Sequence, residues 1–368
     1  HRLIRRQRQM CIRDRYSMSF LGKLVPASKA SKLGTVRLKG LWGQAGASPP
    51  TGTTAFMEQY RTNPFVFACV REIANAIAMT PYDILVDGKV SIDHPVAKLL
   101  SRPNPSQSWY DFIFNVSVFL DLAGDEAIEI VNGGLENRPN ELYPIRPDRT
   151  SYVPSADGRV LEKIIYTIGS IKEEIERDDL ILLKHIDPLD DWRGQSIVKP
   201  LANTLVAYKY AMGWLKLFMK KWGATHGYLT TEQTIPLSEL ERTAKLWNEG
   251  MQSDATPVLP RGLVYKTLGR PPKESGYVDM LESINDELLA GTGVPPVKLG
   301  LVKQTKYADY VLQCLAFIAD VVEPRLELLA GAFSRDLFSK WDEEIKIKFN
   351  VGILKETLVE AAKGCSDG

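Results

Sequence analysis

Histidine and cysteine are scarce, four of each in 368 residues. His1, His94, His185 and His226 are far apart, and none has the i, i+4 partner that sets two imidazoles on one metal. Cys11, Cys69, Cys314 and Cys365 form no C-x-x-C pair, which excludes a zinc knuckle or a redox dithiol. Cys69 and Cys314 sit inside apolar helical patterns and read as buried thiols, a usage that fits a reducing compartment. The chain has no G-x-x-x-x-G-K-[ST], no G-x-G-x-x-G and no G-x-S-x-G. A phosphate cradle, a dinucleotide turn and a serine nucleophile elbow are therefore missing. No run approaches the ~18 apolar residues of a membrane span, and no cofactor or membrane partner is expected. A charge excess is missing too, since the formal net charge is +1. That total hides a bias. Residues 1–17 hold Arg2, Arg5, Arg6, Arg8, Arg13 and Arg15 against Asp14 alone. The rest of the chain carries 40 basic against 44 acidic residues, a net charge of −4. Such a body does not grip nucleic acid over a large area.

The run 1–17 has no apolar stretch of signal-peptide type, and it reads as a non-native extension before Met18. Residues 18–59, rich in Gly, Ser, Ala and Pro at "GQAGASPPTGTT", read as a flexible lead. Helical spacing then begins at Asn63-Pro64, with Asn63 as the cap and Phe67, Val70, Ile73, Ala74 and Ile77 on one face. "YDILVDGKV" predicts a hairpin at Asp87-Gly88. A short helix from His94-Pro95, an amphipathic helix capped by Ser106 or Ser108, and strands at "EAIEIVNGG", "ELYPIRPDRTSYV" and "DLILLKHID" make 60–198 an α+β unit.

Residues 199–222 predict a long helix whose seam is Leu201, Leu205, Tyr208, Met212, Leu215, Met219 and Trp222. Between Asp191 and Glu232 there are six cations and no acid, so charge is segregated along the chain. A strand at "GYLTT", a helix at "TIPLSELERTAKLWNEGM" with Ser238 as cap, and two short strands around Pro260-Arg261-Gly262 follow. Two further helices flank "GTGVPPVKLG", residues 291–300. Gly291 and Gly293 suit a left-handed turn, Pro295 and Pro296 stop the helices from fusing, and Gly300 closes the break. The second of these helices spans about Ala308 to Phe338, with a kink expected at Pro324. A strand at "EEIKIKFNVG" and a last helix complete the pattern.

Chemistry has few candidates. Asp187, Asp190 and Asp191 beside His185 offer a metal or general-base cluster, but an acidic loop ahead of a helix is the simpler reading. Trp214, Phe218 and Trp222 are suited to stack bases, and equally to pack a helix. No catalytic constellation stands out, so an enzyme is not expected and a structural, oligomeric part fits better.

Five stretches in order carry a resemblance: "NPFVFACVREIANAIAMTPYDIL", "HPVAKLLSRPNPSQSWYDF", "ELYPIRPDRTSYV", "RGQSIVKPL" and "GTGVPPVKLG". Together they resemble the portal proteins of tailed bacteriophages, the HK97-like family, over about residues 55 to 350. The resemblance implies an α+β portal fold. Its parts would be a wing at 60–198, stem helices at 199–224 and 273–293, a clip at 225–272, a tunnel loop at 294–308, a long channel-supporting helix at 309–340, and at 341–368 a return strand with the start of a crown. Family members continue into further crown helices, so this crown reads as truncated. The family implies a homo-oligomeric ring, usually of twelve subunits, at one capsid vertex of the virion, assembled in the host cytoplasm. Double-stranded DNA passes through it during packaging and ejection. Large terminase, head-completion proteins and the major capsid protein are the implied partners. Lys298, Lys303 and Lys306 are then the candidate DNA-facing residues, Gly291, Gly293, Pro295, Pro296 and Gly300 the hinge, and Glu239, Arg242, Lys245 and Arg261 the terminase-facing set. The alternative is a nucleic-acid or capsid adaptor module of lower oligomeric state.

Overall fold

The computed structural model describes residues 49–368 apart from 134–137, 221–226, 232–235, 253–262, 268–275, 303–306 and 367–368. The basic run 1–17, most of the lead, and the candidates Arg261, Lys303 and Lys306 lie outside the described residues. The lead turns helical at Thr53: α1 (Thr53–Thr62) buries Phe56, which corrects the reading of 18–59 as flexible throughout. Phe56, Met57 and Tyr60 recur at helical spacing and pack into a core, which outweighs the Gly/Ser content just before them.

Asn63 caps α2 (Pro64–Ala78), its side chain accepting from the Phe65 and Val66 amides at 2.9 and 3.2 Å. Helix α2 lies between two cores. Val66, Val70 and Ala74 enter one, while Cys69, Ile73 and Ile77 enter the other. Phe67, expected with the buried face, is 40% exposed and packs at a tilt against Tyr60, centroids 5.0 Å apart. Asp87 and Gly88 take φ of 47° and 78° and join β1 (Tyr82–Val86) to β2 (Lys89–Val90), the left-handed pair a two-residue hairpin needs.

Helix α3 (Pro95–Ser101) is capped by His94, and α4 (Trp109–Ala123) by Ser108 in a reciprocal pair with Asp111. Gly124 ends α4 and releases β3 (Asp125–Gly133). Then come β4 (Arg138–Ile145), β5 (Thr150–Pro154), β6 (Leu161–Ile168), β7 (Ile171–Glu176) and β8 (Leu180–Lys184). They pair as two antiparallel sheets of order β4-β3-β8 and β5-β6-β7. Strand β7, "IKEEIE", escapes a hydrophobic pattern because Ile175 is its one buried residue; it is a charged edge strand.

Helix α5 (Ala202–Lys220) starts buried at Leu205 and ends exposed at Met219, so its seam leaves the core part-way along. Strand β9 (Gly227–Thr231), helix α6 (Leu237–Gln252) and strand β10 (Leu263–Thr267) follow, with β9 and β10 antiparallel. Since α6 begins at Leu237, Ser238 lies in its first turn and is not the cap. Next are α7 (Tyr277–Thr292) and α8 (Tyr307–Phe317). The expected single helix to Phe338 is interrupted twice. A π-turn at Ile318–Val322 precedes α9 (Glu323–Ala332), and another at Phe333–Leu337 follows it. Pro324 follows the π-turn directly, in the first turn of α9, so a wide turn stands where a proline kink is expected. Strand β11 (Ile345–Phe349) pairs with β1, Ile84 opposite Ile347, before α10 (Val351–Ser366).

The main core joins α2, α4, β3, β8 and α9 around Phe112 and Phe333. A second core of Phe56, Val66, Val70 and Ala74 takes in Leu201, Leu205, Ile284 and Leu288, rooting α5 and α7. A third fills the β5-β6-β7 sheet with Leu161, Ile164 and Ile175 against Ala127, Ile145 and Leu180.

Candidate functional site

The "GTGVPPVKLG" break is a compact junction. Helix α7 runs through Gly291 to Thr292, so Gly291 is helical and not a turn residue, contrary to the sequence reading. Its role is space: a Cβ there would stand 2.5 Å from Leu201 Cδ2, so the glycine lets α7 approach the root of α5. Gly293 is the true stop, left-handed at φ 73°, its N–H donating to Leu289 O at 2.8 Å. Val294 is buried in the main core and pins the exit. Pro295 is extended, Pro296–Leu299 form one 3₁₀ turn, and Gly300 closes it at φ 68°. Beyond it Leu301 and Val302 are exposed. Lys298 is half-buried, with its ammonium 5.9 Å from the Phe317 ring centroid. Cys69 lies beside this junction, in hydrogen-bond contact with Thr292; burial pushes its thiol up, more than that bond lowers it.

The chain between β8 and α5 is locked to the body by buried charge. Asp125 is 2% exposed. It accepts from Arg193 Nη1 at 3.0 Å, Tyr152 Oη at 2.7 Å and the Gly194 N–H at 3.0 Å. Arg193 also donates to the carbonyls of Pro147 and Thr150, and its guanidinium lies 4.6 Å over the Tyr152 ring. Burial first, then the Asp125 charge, pushes the Tyr152 hydroxyl up. Gly124 and Gly194 meet backbone to backbone, so a Cβ on either would strike the other. Asp121, also buried, accepts from Arg325 Nε at 3.0 Å and faces His185 Nε2 at 3.3 Å, tying α4 to α9. Asp336 takes Arg177 at 2.6 Å, Arg335 at 2.7 Å and the Leu182 N–H at 3.0 Å. Burial alone would raise Asp336, but these donors hold it below the ordinary carboxylate range.

The acidic loop does not converge. Asp187 accepts from Lys199 and from the Leu189 N–H, Asp190 accepts from the Trp192 and Arg193 amides, and His185 turns to Asp121. The Lys199 bond first, then the Leu189 amide, holds Asp187 low. Among the described residues no group of His, Cys, Asp and Glu is placed to hold a metal. Trp214 stacks on Phe218 at 5.4 Å and packs on Tyr277 at 4.7 Å, so these rings serve helix packing. Glu239, Arg242 and Lys245 lie exposed on α6. Sequence reasoning missed Asp121, Asp125, Arg193, Arg325 and Asp336. Their partners lie on distant elements, and a charged residue next to a glycine looks like a surface turn. No described helix is long and apolar enough to cross a membrane.

The fold and its junction define an α+β body with buried charge pairs that tie distant segments together, and with helices α5 and α7 rooted in one of its cores. The family described as phage portal protein matches residues 64–363, and the chain belongs to that family. Uncharacterized proteins of Rickettsia felis and Rickettsia bellii are 25% and 26% identical, each over 80% of this chain and 79% of their own length. A chain of the native gene transfer agent virion superposes with a TM-score of 0.65 at 24% identity, over 89% of this chain and 93% of that one. A chain from the neck of the native gene transfer agent particle, computed with C12 symmetry, scores 0.61 at 25% identity over 85% and 89%. An HK97 family phage portal protein from Corynebacterium diphtheriae scores 0.60 at 12% identity over 84% and 99%. The chain thus has the portal fold.

Proposed function

We propose that this chain is the repeating subunit of a portal ring in a phage or phage-like particle, a conduit for double-stranded DNA with no active site. The observation that carries the reading is the family match across residues 64–363, supported by the fold likeness to a neck with twelvefold symmetry. In this reading residues 60–198 are the wing, α5 and α7 the stem, 225–272 the clip, 294–308 the tunnel loop, and the run from α8 to Lys340 the channel support. Twelve copies at one vertex take DNA from a large terminase and later meet head-completion proteins, with the major capsid protein around the wing. Assembly takes place in the host cytoplasm.

The junction supports a tunnel role. Gly293 ends α7, Val294 is anchored in the main core and Pro295 is extended, so Lys298 follows directly from a buried anchor. With Lys303 and Lys306 it would offer a few screened charges per subunit, a sequence-blind contact that lets a polyanion slide. Glu239, Arg242, Lys245 and Arg261 are the proposed terminase-facing set. Mass photometry and negative-stain imaging of the purified full chain test the reading. A ring with a central hole is expected, and a monodisperse single chain at low salt overturns it. Deleting 238–262 should abolish terminase capture without lowering the melting temperature of the body; retained capture moves the docking face elsewhere.

A further inference from the structure

Helices α5 and α7 carry opposite charge and spend none of it on each other. Helix α5 contains no acidic residue, and α7 contains no basic one. Lys209 and Lys216 on α5, and Asp279, Glu282 and Asp286 on α7, are all exposed, and none forms an ion pair among the described residues. The contact between the helices is instead neutral or one-sided. Tyr277 Oη donates to Ala211 O at 2.8 Å, Thr204 Oγ1 donates to Glu287 Oε2 at 2.8 Å, and Trp214 packs on Tyr277.

Those contacts orient both helices. At 3.6 residues per turn, Lys209 and Lys216 lie roughly 140–160° round α5 from Ala211, on the flank turned away from α7. By the same spacing Asp279, Glu282 and Asp286 lie roughly 140–160° round α7 from the buried Ile284, on the flank turned away from α5. Leu201 and Leu205 at the root of α5, and Leu288 on α7, enter one core, so the body lies on the same side of both. The helix pair is therefore a layer with a basic edge on one side and an acidic edge on the other. A two-fold dimer through either edge would set like on like. One partner cannot cover both edges, because they look in opposite directions. Only head-to-tail stacking joins the basic edge to the acidic one, and repeated head-to-tail contacts form a ring when the rotation between copies closes.

We propose that the α5 flank of Lys209 and Lys216 docks on the α7 flank of Asp279, Glu282 and Asp286 of the next copy of this chain. This rests on the ring reading and adds which faces meet and in what polarity. Exposed pairs are individually weak and screened, so the contact sets register and direction more than strength, and it loosens with salt.

The test uses two full-length variants, one with Lys209→Glu and Lys216→Glu, the other with Asp279→Lys, Glu282→Lys and Asp286→Lys. Circular dichroism melting checks that each folds as the wild type does. Mass photometry at low salt should find each variant alone at the single-chain mass. An equimolar mixture should recover the ring mass, because each interface then pairs either two native or two reversed flanks in alternation. Ring formation by either folded variant alone, or a mixture of folded chains that stays single, overturns the proposal while the wild-type ring stands. A wild-type chain that never assembles overturns the ring reading beneath it.

Discussion

The body and the helix pair of α5 and α7 treat charge in opposite ways. In the body, Asp121, Asp125 and Asp336 are nearly out of solvent, and each is met by arginine or backbone donors from distant segments. On α5 and α7, Lys209, Lys216, Asp279, Glu282 and Asp286 are exposed, sorted by sign and without an ion pair among the described residues. A buried carboxylate has to be matched within the chain, because removing it from water is costly unless donors replace the water. An exposed charge carries no such demand, and is free for a partner. The buried charges of the body are thus spent within the chain, while those of the helix pair stay in contact with solvent.

The strongest break is Arg193→Ala. It leaves Asp125 buried with its charge uncompensated and should lower stability by about 3–5 kcal/mol, read as a fall in the denaturant midpoint with unchanged slope. An unchanged midpoint would mean that Tyr152 and the Gly194 amide suffice. Next comes Glu126, fully buried and without a hydrogen-bond partner of ordinary geometry on either oxygen. Burial first, and neighbouring Asp125 second, push its carboxyl well above the usual range. A raised folded-state value means that folding favours the neutral acid over the carboxylate relative to the unfolded chain. Stability from this group is complete below the unfolded value of about 4.3 and declines as pH rises toward the folded one, by roughly tenfold in the folding equilibrium per pH unit. Glu126→Gln should flatten that slope between acid and neutral pH, measured by denaturation in a pH series.

Smaller still, Gly293→Ala puts a side chain at φ 73° and a Cβ 2.8 Å from Val321. A loss of about 1–2 kcal/mol is expected, with α7 fraying at its end by hydrogen exchange. The smallest effect sharpens the contrast. Lys209→Ala or Glu282→Ala alone should change single-chain stability by less than about 0.5 kcal/mol, as surface substitutions do. A larger loss would show that these charges already have partners within the chain.

The caps were legible because they act locally. Asn63-Pro64, the serine cap expected at Ser106 or Ser108 and found at Ser108, and Asp87-Gly88 each satisfy backbone groups within a few residues. The junction was legible as a break but not in its parts: nothing near Gly291 announces that it faces Leu201, ninety positions away in sequence. Helix α1 was hidden because the core that orders it is built by α2 and by the more distant α4. The π-turns flanking α9 were hidden as well, since Ile318–Val322 and Phe333–Leu337 continue the apolar helical pattern without interruption.

By itself the sequence determined most of the elements, the caps at Asn63 and at the start of α4, the segregation of charge between residues 192–231 and α7, and the family signature. Each depends on short-range chemistry or on residue order. Only the tertiary structure decided which acids are buried and clamped, that Gly124 and Gly194 touch, and that the basic and acidic edges of the helix pair look away from each other. Those are facts about which distant surfaces meet, and the packing of all the elements together sets them.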